Sequence, residues 1–346
     1  MSPVTTKMLA PLSGQTRAIL VTGGAGYIGS HAVLALLDAG HTVVVLDNLS
    51  TGFRWAVHPD AAFYRGDVAD GALLKRLFAD HRIAAVLHFA GSLIVPESVI
   101  DPLKYYHNNS EKSRLLLTAM IESGVRNIVF SSTAAVYGNG GEGLIAEDSP
   151  TAPINPYGMS KLMTEAMIRD ASHAHGLHHC ILRYFNVAGA DPMLRSGQST
   201  DGATHLIKVA VEAALGRRSH VAIFGTDFAT RDGTGVRDYI HVSDLAEAHV
   251  LALDHLLSQP HTALTLNCGY GTGHSVKEVL DTVDRVAGSR IARRLNPRRE
   301  GDPASLVASN AHIRSTLGWQ PRHADLATIV GHALAWEDRI ATRMAG

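Results

Sequence analysis

The chain has few of the features that mark secreted, membrane-spanning or nucleic-acid-binding proteins. Cys180 and Cys268 are its only cysteines, and both fall in apolar, strand-like segments, so we expect buried thiols in a reducing compartment. No apolar run approaches the roughly 18 residues that a membrane-spanning helix needs. The formal net charge at pH 7 is −1, which gives no electrostatic reason to expect nucleic acid or an anionic membrane as a partner. We therefore expect a cytoplasmic protein.

The length of 346 residues is enough for one large domain or two unequal ones. Residues 1–16 show no secretory pattern, so we expect a loose N-terminal extension there. The motifs that carry chemistry all lie beyond it.

A glycine-rich turn follows the first apolar run of the chain, residues 18–22. Its glycines, Gly23, Gly26 and Gly29, have the spacing G-x-x-G-x-x-G, and a helix-like pattern comes next. Strand, glycine turn and helix in this order bind the pyrophosphate of a dinucleotide, although the common spacing is G-x-G-x-x-G. Gly23 would allow the tight turn, Gly26 the close approach of the backbone to the pyrophosphate, and Gly29 the packing of helix on strand.

The second strand-like run, residues 42–46, ends in Asp47, roughly twenty residues after the glycines begin. A carboxylate at this place accepts hydrogen bonds from the adenosine ribose hydroxyls and repels a 2′-phosphate. No arginine follows it directly, since Asn48, Leu49 and Ser50 come next. The sequence therefore favours NAD over NADP, and a plain turn role for Asp47 stays open as the alternative.

Strand-like and helix-like segments alternate up to about residue 188. The strand-like runs cover residues 61–65, 84–89, 127–131 and 179–184, and the longest helical patterns cover residues 102–123 and 156–175. The alternation predicts an α/β fold with a Rossmann-like doubly wound parallel sheet, whose ligands bind at the carboxyl ends of the strands. At that edge we expect Asp67 near the adenine amino group and the Gly91 loop beside the cofactor.

The alternation lapses after Asn186, and a polar stretch through Gly202 indicates a boundary. We expect an NAD-binding domain over residues 17–188. Residues 189–346 would mainly form a smaller C-terminal α/β domain for the substrate, with segments that can interleave. This second part carries a basic cluster, which suits the diphosphate of a nucleotide sugar because arginine binds phosphate oxygens bidentately. The cluster consists of Arg293, Arg294, Arg298 and Arg299.

Tyr157 and Lys161 are four residues apart in the last of these helical patterns, so they would share one face of the helix. A nearby ammonium group favours the phenolate form of a tyrosine. Such a phenolate can take a proton from a sugar hydroxyl while a nicotinamide takes the hydride. The pair alone is weak evidence, because surface helices carry such pairs by chance, and the dinucleotide motif upstream is what gives it weight.

The chain contains twenty histidines, and four of them lie close together at positions 173, 175, 178 and 179. A metal site would need ligands that converge at fixed geometry. These histidines instead straddle a predicted helix end and the turn that follows it. We therefore predict no metal.

Together, these motifs resemble those of the extended short-chain dehydrogenase/reductase family, and the resemblance covers nearly the whole chain from about residue 17. In the first half the matching motifs are VTGGAGYIGSH (21–31), LDN (46–48), HFAG (88–91), SSTAAVYG (131–138), PYGMSK (156–161) and RYFN (183–186). In the second half they are AIFG (222–225), DGTGVRDYIHV (232–242) and RREGD (298–302). The stretch 232–242 points more narrowly to the UDP-sugar 4-epimerases of that family.

The resemblance implies reversible epimerisation at C4 of UDP-glucose and UDP-galactose, through a 4-keto intermediate and transient hydride transfer to tightly bound NAD. It implies that Tyr157 is the base, that Lys161 lowers the pKa of Tyr157 and binds the nicotinamide ribose, and that Thr133 contacts the 4-oxygen. A 4-epimerase of a UDP-pentose or a UDP-N-acetylhexosamine is the alternative.

Two rival functions are disfavoured. A nucleotide-sugar 4,6-dehydratase would need an acid–base pair where Ala134 and Ala135 stand. A non-catalytic NAD-sensing or scaffold protein would usually lack the tyrosine or the lysine, and both are present.

Two sets of binding residues follow from the resemblance. The cofactor set is Gly23, Gly26, Tyr27, Ile28, Gly29, Asp47, Asn48, Asp67, Val68, Phe89, Ala90, Gly91, Asn108, Ser131, Tyr157, Lys161 and Tyr184. The substrate set is Thr133, Tyr157, Asn186, His205, Ala222, Ile223, Phe224, Arg237, Arg299 and Asp302.

Three positions depart from the family pattern. Leu93 stands where many relatives carry a lysine that contacts the cofactor, and His205 takes the place of an asparagine near the diphosphate. Leu306 lies where side-chain bulk affects the acceptance of N-acetylated sugars. The resemblance also implies a homodimer, formed by the helices over residues 102–123 and 156–175.

Overall fold

The computed structural model describes residues 17–140, 143–200, 202–259, 261–299 and 301–345. The extension expected over residues 1–16 lies outside the described residues. A seven-stranded sheet forms the centre of the molecule, and all its strand pairs are parallel. Its strands are β1 (Ala18–Thr22), β2 (Thr42–Asp47), β3 (Ala62–Arg65), β4 (Ala85–His88), β5 (Asn127–Thr133), β6 (His178–Tyr184) and β10 (Ala263–Cys268).

The order of the strands across the sheet is β10-β6-β5-β4-β1-β2-β3. The chain therefore leaves β1 toward one edge and returns at β4 to build toward the other edge. In such sheets the crevice at the carboxyl ends of the strands, where the winding reverses, is the place for a ligand. The prediction of a Rossmann-like doubly wound sheet is confirmed.

Helices cover both faces of this sheet, which explains why the central strands β1, β2 and β4 are mostly apolar. One face packs against α1 (Tyr27–Asp38), α8 (Val242–Ser258) and α10 (Ala311–Leu317). The other face packs against α2 (Gly71–His81), α5 (Lys112–Glu122) and α6 (Pro156–His175). Two short helices, α3 (Val95–Ile100) and α4 (Pro102–Tyr105), precede α5.

The helix expected over residues 102–123 is interrupted. Between α4 and α5 the chain forms a π-helical turn, Tyr106–Glu111, a feature often found at functional sites. The turn frees the backbone carbonyl of Asn109, which accepts hydrogen bonds from the hydroxyl groups of Ser113 and Thr164. Hydrophobic periodicity could not reveal the turn, because residues 107–111 within it are all polar.

A second α/β part follows the sheet. Strand β9 (Val236–His241) pairs with the three short strands β7 (Asn186–Ala188), β11 (Gly273–Ser275) and β13 (Ser305–Leu306). A parallel pair, β8 (Val221–Phe224) and β12 (Arg293–Asn296), lies apart from them. Strands β7, β8 and β9 share a core with α7 (Leu206–Ala214), α9 (Val276–Ala287) and α11 (Leu326–Ala345).

The boundary expected near residue 189 stays a prediction about domains, and the sheet itself crosses it. Strand β10 comes from the second half of the chain and pairs with β6, while α8 packs against α1. None of the helices formed by the described residues is both long and apolar enough to cross a membrane.

Four histidines meet at the seam between the two parts: His31 of α1, His241 of β9, His323, and His332 of α11. The backbone N–H of Ser243 donates to His241 Nδ1, so the ring proton of neutral His241 is on Nε2. That nitrogen lies 3.0 Å from His332 Nδ1 and donates to it. The rings of His241 and His323 lie 4.5 Å apart between centroids.

Candidate active site

One cleft of about 1760 Å³ runs along the carboxyl ends of the strands and into the second part. It brings together nearly all the residues singled out in the sequence, from both halves of the chain. Those that line it are Gly23, Gly26, Tyr27, Ile28, Gly29, Asp47, Asn48, Asp67, Val68, Phe89, Ala90, Gly91, Asn108, Thr133, Tyr157, Lys161, Tyr184, Asn186, His205, Ala222, Phe224, Arg237, Arg299 and Asp302.

The glycine end of the cleft, which we define as Gly23–Gly29 with Asp47 and Asp67, is shaped by close backbone contacts. Gly23 has a φ of +73°, and a Cβ atom there would lie 2.7 Å from the backbone nitrogen of Ala90. A Cβ on Gly29 would lie 2.1 Å from the carbonyl oxygen of Gly23. Helix α1 begins just after Gly26, whose side chain cannot cap it. The N-terminus of α1 thus presents free N–H groups, which suit an anion such as a pyrophosphate.

Asp47 fixes the shape of this end. Its carboxylate accepts hydrogen bonds from the backbone N–H groups of Ala25, at 3.0 Å, and of Leu49, at 2.8 Å. Burial raises the pKa of Asp47, while these two hydrogen bonds act to lower it. The carboxylate keeps further acceptor capacity toward the cleft, which suits ribose hydroxyl groups.

Asp67 has a cationic partner that the sequence analysis missed. Lys112 Nζ donates to its carboxylate at 2.7 Å, and Asn48 donates at 3.3 Å. Burial acts to raise the pKa of Asp67, but the hydrogen bond from Lys112 is the main contribution that outweighs it, so the pKa is lowered. Lys112 also lines the cleft. Its place one helical turn after Asn108, on a helix predicted to border the cofactor, was the available signal.

Tyr157, Lys161 and Thr133 lie together at the middle of the cleft. Tyr157 and Lys161 share one face of α6 and are buried, with 9% and 5% of their surfaces exposed. Burial raises the pKa of Tyr157, and a hydrogen bond with the Thr133 hydroxyl group acts in the opposite direction. Burial lowers the pKa of Lys161 to about 8. The expectation that Lys161 lowers the pKa of Tyr157 stays a prediction.

Ser131 does not line the cleft, contrary to its place in the predicted cofactor set. It lies on β5 behind the other residues, where its carbonyl oxygen accepts a hydrogen bond from Lys161 Nζ at 3.0 Å. Its hydroxyl group donates to the Tyr184 hydroxyl oxygen at 2.9 Å. Ser131 therefore orients two residues of the cleft.

The arginine end of the cleft, which we define as Ala222, Phe224, Arg237, Arg299 and Asp302, is formed by side chains from distant segments. Arg237 is held from two sides, because it donates to the carbonyl oxygen of its neighbour Val236 and to the Asp302 carboxylate. The guanidinium of Arg299 lies 3.7 Å from the centre of the Phe224 ring. Two cations, a carboxylate and an aromatic face suit a nucleoside diphosphate.

Two expectations at this end are corrected. Ile223 points away from the cleft into the apolar core, because side chains alternate along β8 and those of Ala222 and Phe224 take the cleft side. Of the predicted basic cluster, only Arg299 lines the cleft. Arg293 pairs with Asp281 and Asp284, and Arg298 pairs with Asp227.

His205 lines the cleft just before α7. Burial lowers its pKa, so near neutral pH it offers a neutral imidazole ring, not a positive charge. Leu93 and Leu306 also line the cleft, as apolar side chains. Within the part of the chain that the structure describes, no three histidine, cysteine, aspartate or glutamate side chains are arranged to hold a metal ion.

The glycine end fits a dinucleotide. Gly23 and Gly29 leave a cradle that Cβ atoms would fill, α1 points its N-terminus into it, and Asp47 offers carboxylate oxygens beside it. This geometry, with a buried tyrosine and lysine farther along the same cleft, defines the protein as a dinucleotide-binding α/β enzyme of the doubly wound class.

Comparison with known proteins places the chain within this class. A model of the NAD dependent epimerase/dehydratase family matches residues 19–269. The chain is 56% identical over 329 residues to UDP-glucose 4-epimerase of Azospirillum brasilense, which covers 94% of each protein. The protein belongs to the NAD dependent epimerase/dehydratase family.

Two solved structures are similar along nearly their whole length. The crystal structure of UDP-glucose 4-epimerase from Brucella ovis in complex with NAD is 42% identical, with a TM-score of 0.90, and the match covers 92% of this chain and 98% of that one. The Bifidobacterium longum enzyme in complex with NAD⁺ and UDP is 38% identical, with a TM-score of 0.89, and the match covers 93% and 98%.

Proposed function

We propose that the protein catalyses the reversible epimerisation of UDP-glucose and UDP-galactose at C4, in galactose metabolism, with NAD as a tightly held cofactor. The observation that carries this proposal is the order of groups along one cleft. A dinucleotide cradle lies at one end, a nucleoside-diphosphate site at the other, and Tyr157, Lys161 and Thr133 lie between them. When bound, NAD supplies the hydride acceptor for C4 and, in its reduced form, the hydride donor for the return step.

The residues of this chain move the proton. Tyr157, as a phenolate, takes the proton of the 4-hydroxyl group and later gives it back. Thr133, which is hydrogen-bonded to Tyr157, contacts the same sugar oxygen. Lys161 places its ammonium group beside them and favours the phenolate form.

The UDP group would be held firmly while the sugar is held loosely. Arg237 and Arg299 bind the diphosphate, and Asp302 binds the uridine ribose. Ala134, Ala135 and Leu306 line the cleft with side chains that form no hydrogen bonds. Because the sugar makes few contacts, the 4-keto intermediate can rotate in the cleft, so that the hydride returns to its other face. The same two alanines leave no acid–base pair for the elimination of water.

The test uses the purified protein with the NAD that it retains. We expect it to interconvert UDP-galactose and UDP-glucose without added cofactor. Tyr157→Phe should reduce kcat by about 100-fold or more, because general acid–base groups typically contribute that much, while the variant keeps its NAD. Tyr64→Phe removes a phenolic hydroxyl group that is hydrogen-bonded to His81 outside the cleft, and this variant should keep full activity. Full activity in Tyr157→Phe, or net accumulation of NADH, would contradict the proposal.

The range of sugars is a separate question. Turnover of UDP-galactose, UDP-N-acetylgalactosamine and UDP-arabinose, measured side by side, tests the hexose against the N-acetylhexosamine and pentose alternatives. A higher kcat/KM for either of the last two would replace the proposed substrate and leave the chemistry unchanged.

We propose in addition that the protein is a homodimer in the cytoplasm. The segments expected to pair carry exposed apolar side chains, with Leu103 of α4 75% exposed and Met163 of α6 45% exposed, and Cys180 and Cys268 are free thiols. Light scattering during size-exclusion chromatography measures the mass, and a monomer would contradict the dimer. Fractionation of the cells that produce the protein tests its location.

A further inference from the structure

A buried ion pair lies directly behind the proposed catalytic residues. Glu165 of α6 is fully buried, and Arg183 of β6 donates to both of its carboxylate oxygens, at 2.9 and 2.6 Å. The Ser132 hydroxyl group donates to the same carboxylate at 2.6 Å, and Arg169 donates from the surface side at 3.2 Å. Burying such a pair costs desolvation energy and brings little net stability. Stability alone therefore does not explain why the pair lies behind the proposed catalytic residues.

The pair connects α6 and β5, which carry the proposed catalytic groups, with β6, which carries Tyr184 of the cofactor set. Ser132 precedes Thr133 on β5, Arg183 precedes Tyr184 on β6, and Glu165 follows Lys161 by one turn of α6. One carboxylate thus joins all three elements on the side that faces away from the cleft.

Arg183 extends the network. It donates to the Tyr137 hydroxyl oxygen at 2.9 Å, and that hydroxyl group donates to Asn267 at 2.7 Å. Tyr137 ends the short helix that begins right after Thr133. Thr133 is therefore tied to the network on both sides, through Ser132 and through Tyr137.

The charge of Glu165 also acts on Lys161. Residues four apart on a helix are neighbours, and Glu165 raises the pKa of Lys161 against the larger effect of burial, which lowers it to about 8. Without the carboxylate, Lys161 would hold its proton less firmly at neutral pH.

We infer that Glu165 is a positioning residue for the C4 oxidation, which sets the arrangement of Tyr157 and Thr133 through Arg183 and places a negative charge one helical turn from Lys161. This inference rests on the proposed roles of Tyr157 and Lys161. Glu165 touches neither substrate nor cofactor, since it does not line the cleft, and it acts only through its neighbours.

The test compares Glu165→Gln with Arg183→Met in the NAD-bound protein. NMR titration of the lysine ε-methylene carbons, assigned with Lys161→Met, follows Lys161 directly. Glu165→Gln should lower the pH at which Lys161 loses its proton by about one unit, since it removes a nearby opposite charge. Arg183→Met leaves Arg169 as the only ion-pair partner of Glu165 among the described residues and should raise that pH. The alkaline limb of the kcat profile should shift in the same directions, with KM for UDP-galactose within about twofold of the original value, because the UDP contacts are untouched.

Glu337→Gln is the matched control. It also neutralises a buried carboxylate paired with a lysine and an arginine, Lys208 and Arg217, but far from α6. It should leave the titration of Lys161 unmoved. The double variant Glu165→Gln/Arg183→Met leaves no unpaired buried charge and serves if a single variant does not fold. Its Lys161 titration should still lie below that of the original protein.

Two outcomes would overturn the inference: an unmoved Lys161 titration in all the folded variants of the pair, or shifts of the same sign in both single variants. The titration does not depend on turnover. Shifts of opposite sign in a protein without epimerase activity would therefore uphold the role of Glu165 and overturn the proposed function.

Discussion

In the proposed function the two ends of the cleft recognise similar chemistry, a diphosphate and a ribose, with opposite means. The glycine end is made of backbone, since Gly23 and Gly29 touch neighbouring peptide groups and Asp47 is held by two N–H groups. The arginine end is made of long side chains that come from three separate segments. There Arg237 pairs with Asp302, and Arg299 packs on Phe224.

The difference matches what each end has to do in the proposed cycle. A cofactor that stays bound through every turnover suits a cradle fixed by main-chain contacts, which loses little entropy on binding. A substrate that enters and leaves suits charged side chains that can exchange one partner for another. Variants that separate retention of NAD from affinity for the UDP-sugar test this distinction.

The largest effect is expected at the glycine end. Gly29→Ala would place a Cβ atom 2.1 Å from the Gly23 carbonyl oxygen, where backbone, not a flexible side chain, has to move. We expect loss of retained NAD and of all activity, and a lower free energy of unfolding by about 3 kcal/mol, the upper range for overpacking. Absorbance of the cofactor released on denaturation and urea unfolding measure both effects.

Gly331→Ala is the control for this change. Gly331 also lies in a helix, α11, and a Cβ there would meet no atom within 4 Å. It should gain about 0.5–1 kcal/mol of stability, since alanine is the better helix former. Full retention of NAD in Gly29→Ala would show that the backbone around Gly29 is more flexible than these close contacts indicate.

At the arginine end we expect a smaller and more selective effect. Arg237→Lys keeps the charge but loses the planar fork that can face a phosphate while bonding Asp302. We expect kcat/KM for UDP-galactose to fall about 10- to 100-fold, mainly through KM, with retained NAD unchanged. Steady-state kinetics and cofactor content measure this.

Arg298→Lys is the matched control, because Arg298 lies outside the cleft and pairs with Asp227. It should leave KM unchanged. If Arg237→Lys also lost NAD, the two ends would not be independent.

The smallest effect concerns the four histidines at the seam between the two parts of the molecule. Burial, with the neighbouring His323 and His332, lowers the pKa of His241 to about 2. Folded His241 therefore stays neutral while unfolded His241 takes up a proton below pH of about 6.5. The contribution of neutral His241 to the free energy of unfolding is therefore present above that pH and is lost as the pH falls. The loss is about 2 kcal/mol between pH 7 and pH 5.

His241→Asn keeps an N-cap for α8 and should lose that much less stability on acidification than the original protein. Unfolding in urea at the two pH values measures the difference. His175→Asn makes the same chemical change at an exposed position at the end of α6 and should follow the original protein. The groups facing His241 are His31, His323, His332 and Asp191. Equal acid sensitivity in His241→Asn would assign the effect to one of these.

The sequence predicted most of the sheet and the glycine end, because both depend on local patterns. Strand β1 and helix α6 have the predicted bounds, and glycine spacing reports backbone geometry directly. It did not predict Lys112 as the partner of Asp67, or the closed network around Glu165. Those contacts join residues far apart in the chain, and no periodicity encodes them.

Where the sequence predicted more cleft residues than the structure places there, the reason is again geometric. A run such as residues 222–224 tells that a strand borders the cleft, but alternation sends Ile223 to the core. A row of arginines tells that the region is basic, but the carboxylates that neutralise Arg293 and Arg298 come from other segments.

Strand β10 has a consequence for how the chain is made. It completes the central sheet beside β6, yet it leaves the ribosome only after about half of the second part has been synthesised. Until residue 268 has emerged, β6 presents an unpaired apolar edge that can pair with other chains. A fragment that stops at residue 188 should therefore aggregate, and the two parts should not be separable by cutting the gene between them. The order of the strands therefore makes the complete central sheet depend on both parts of the chain.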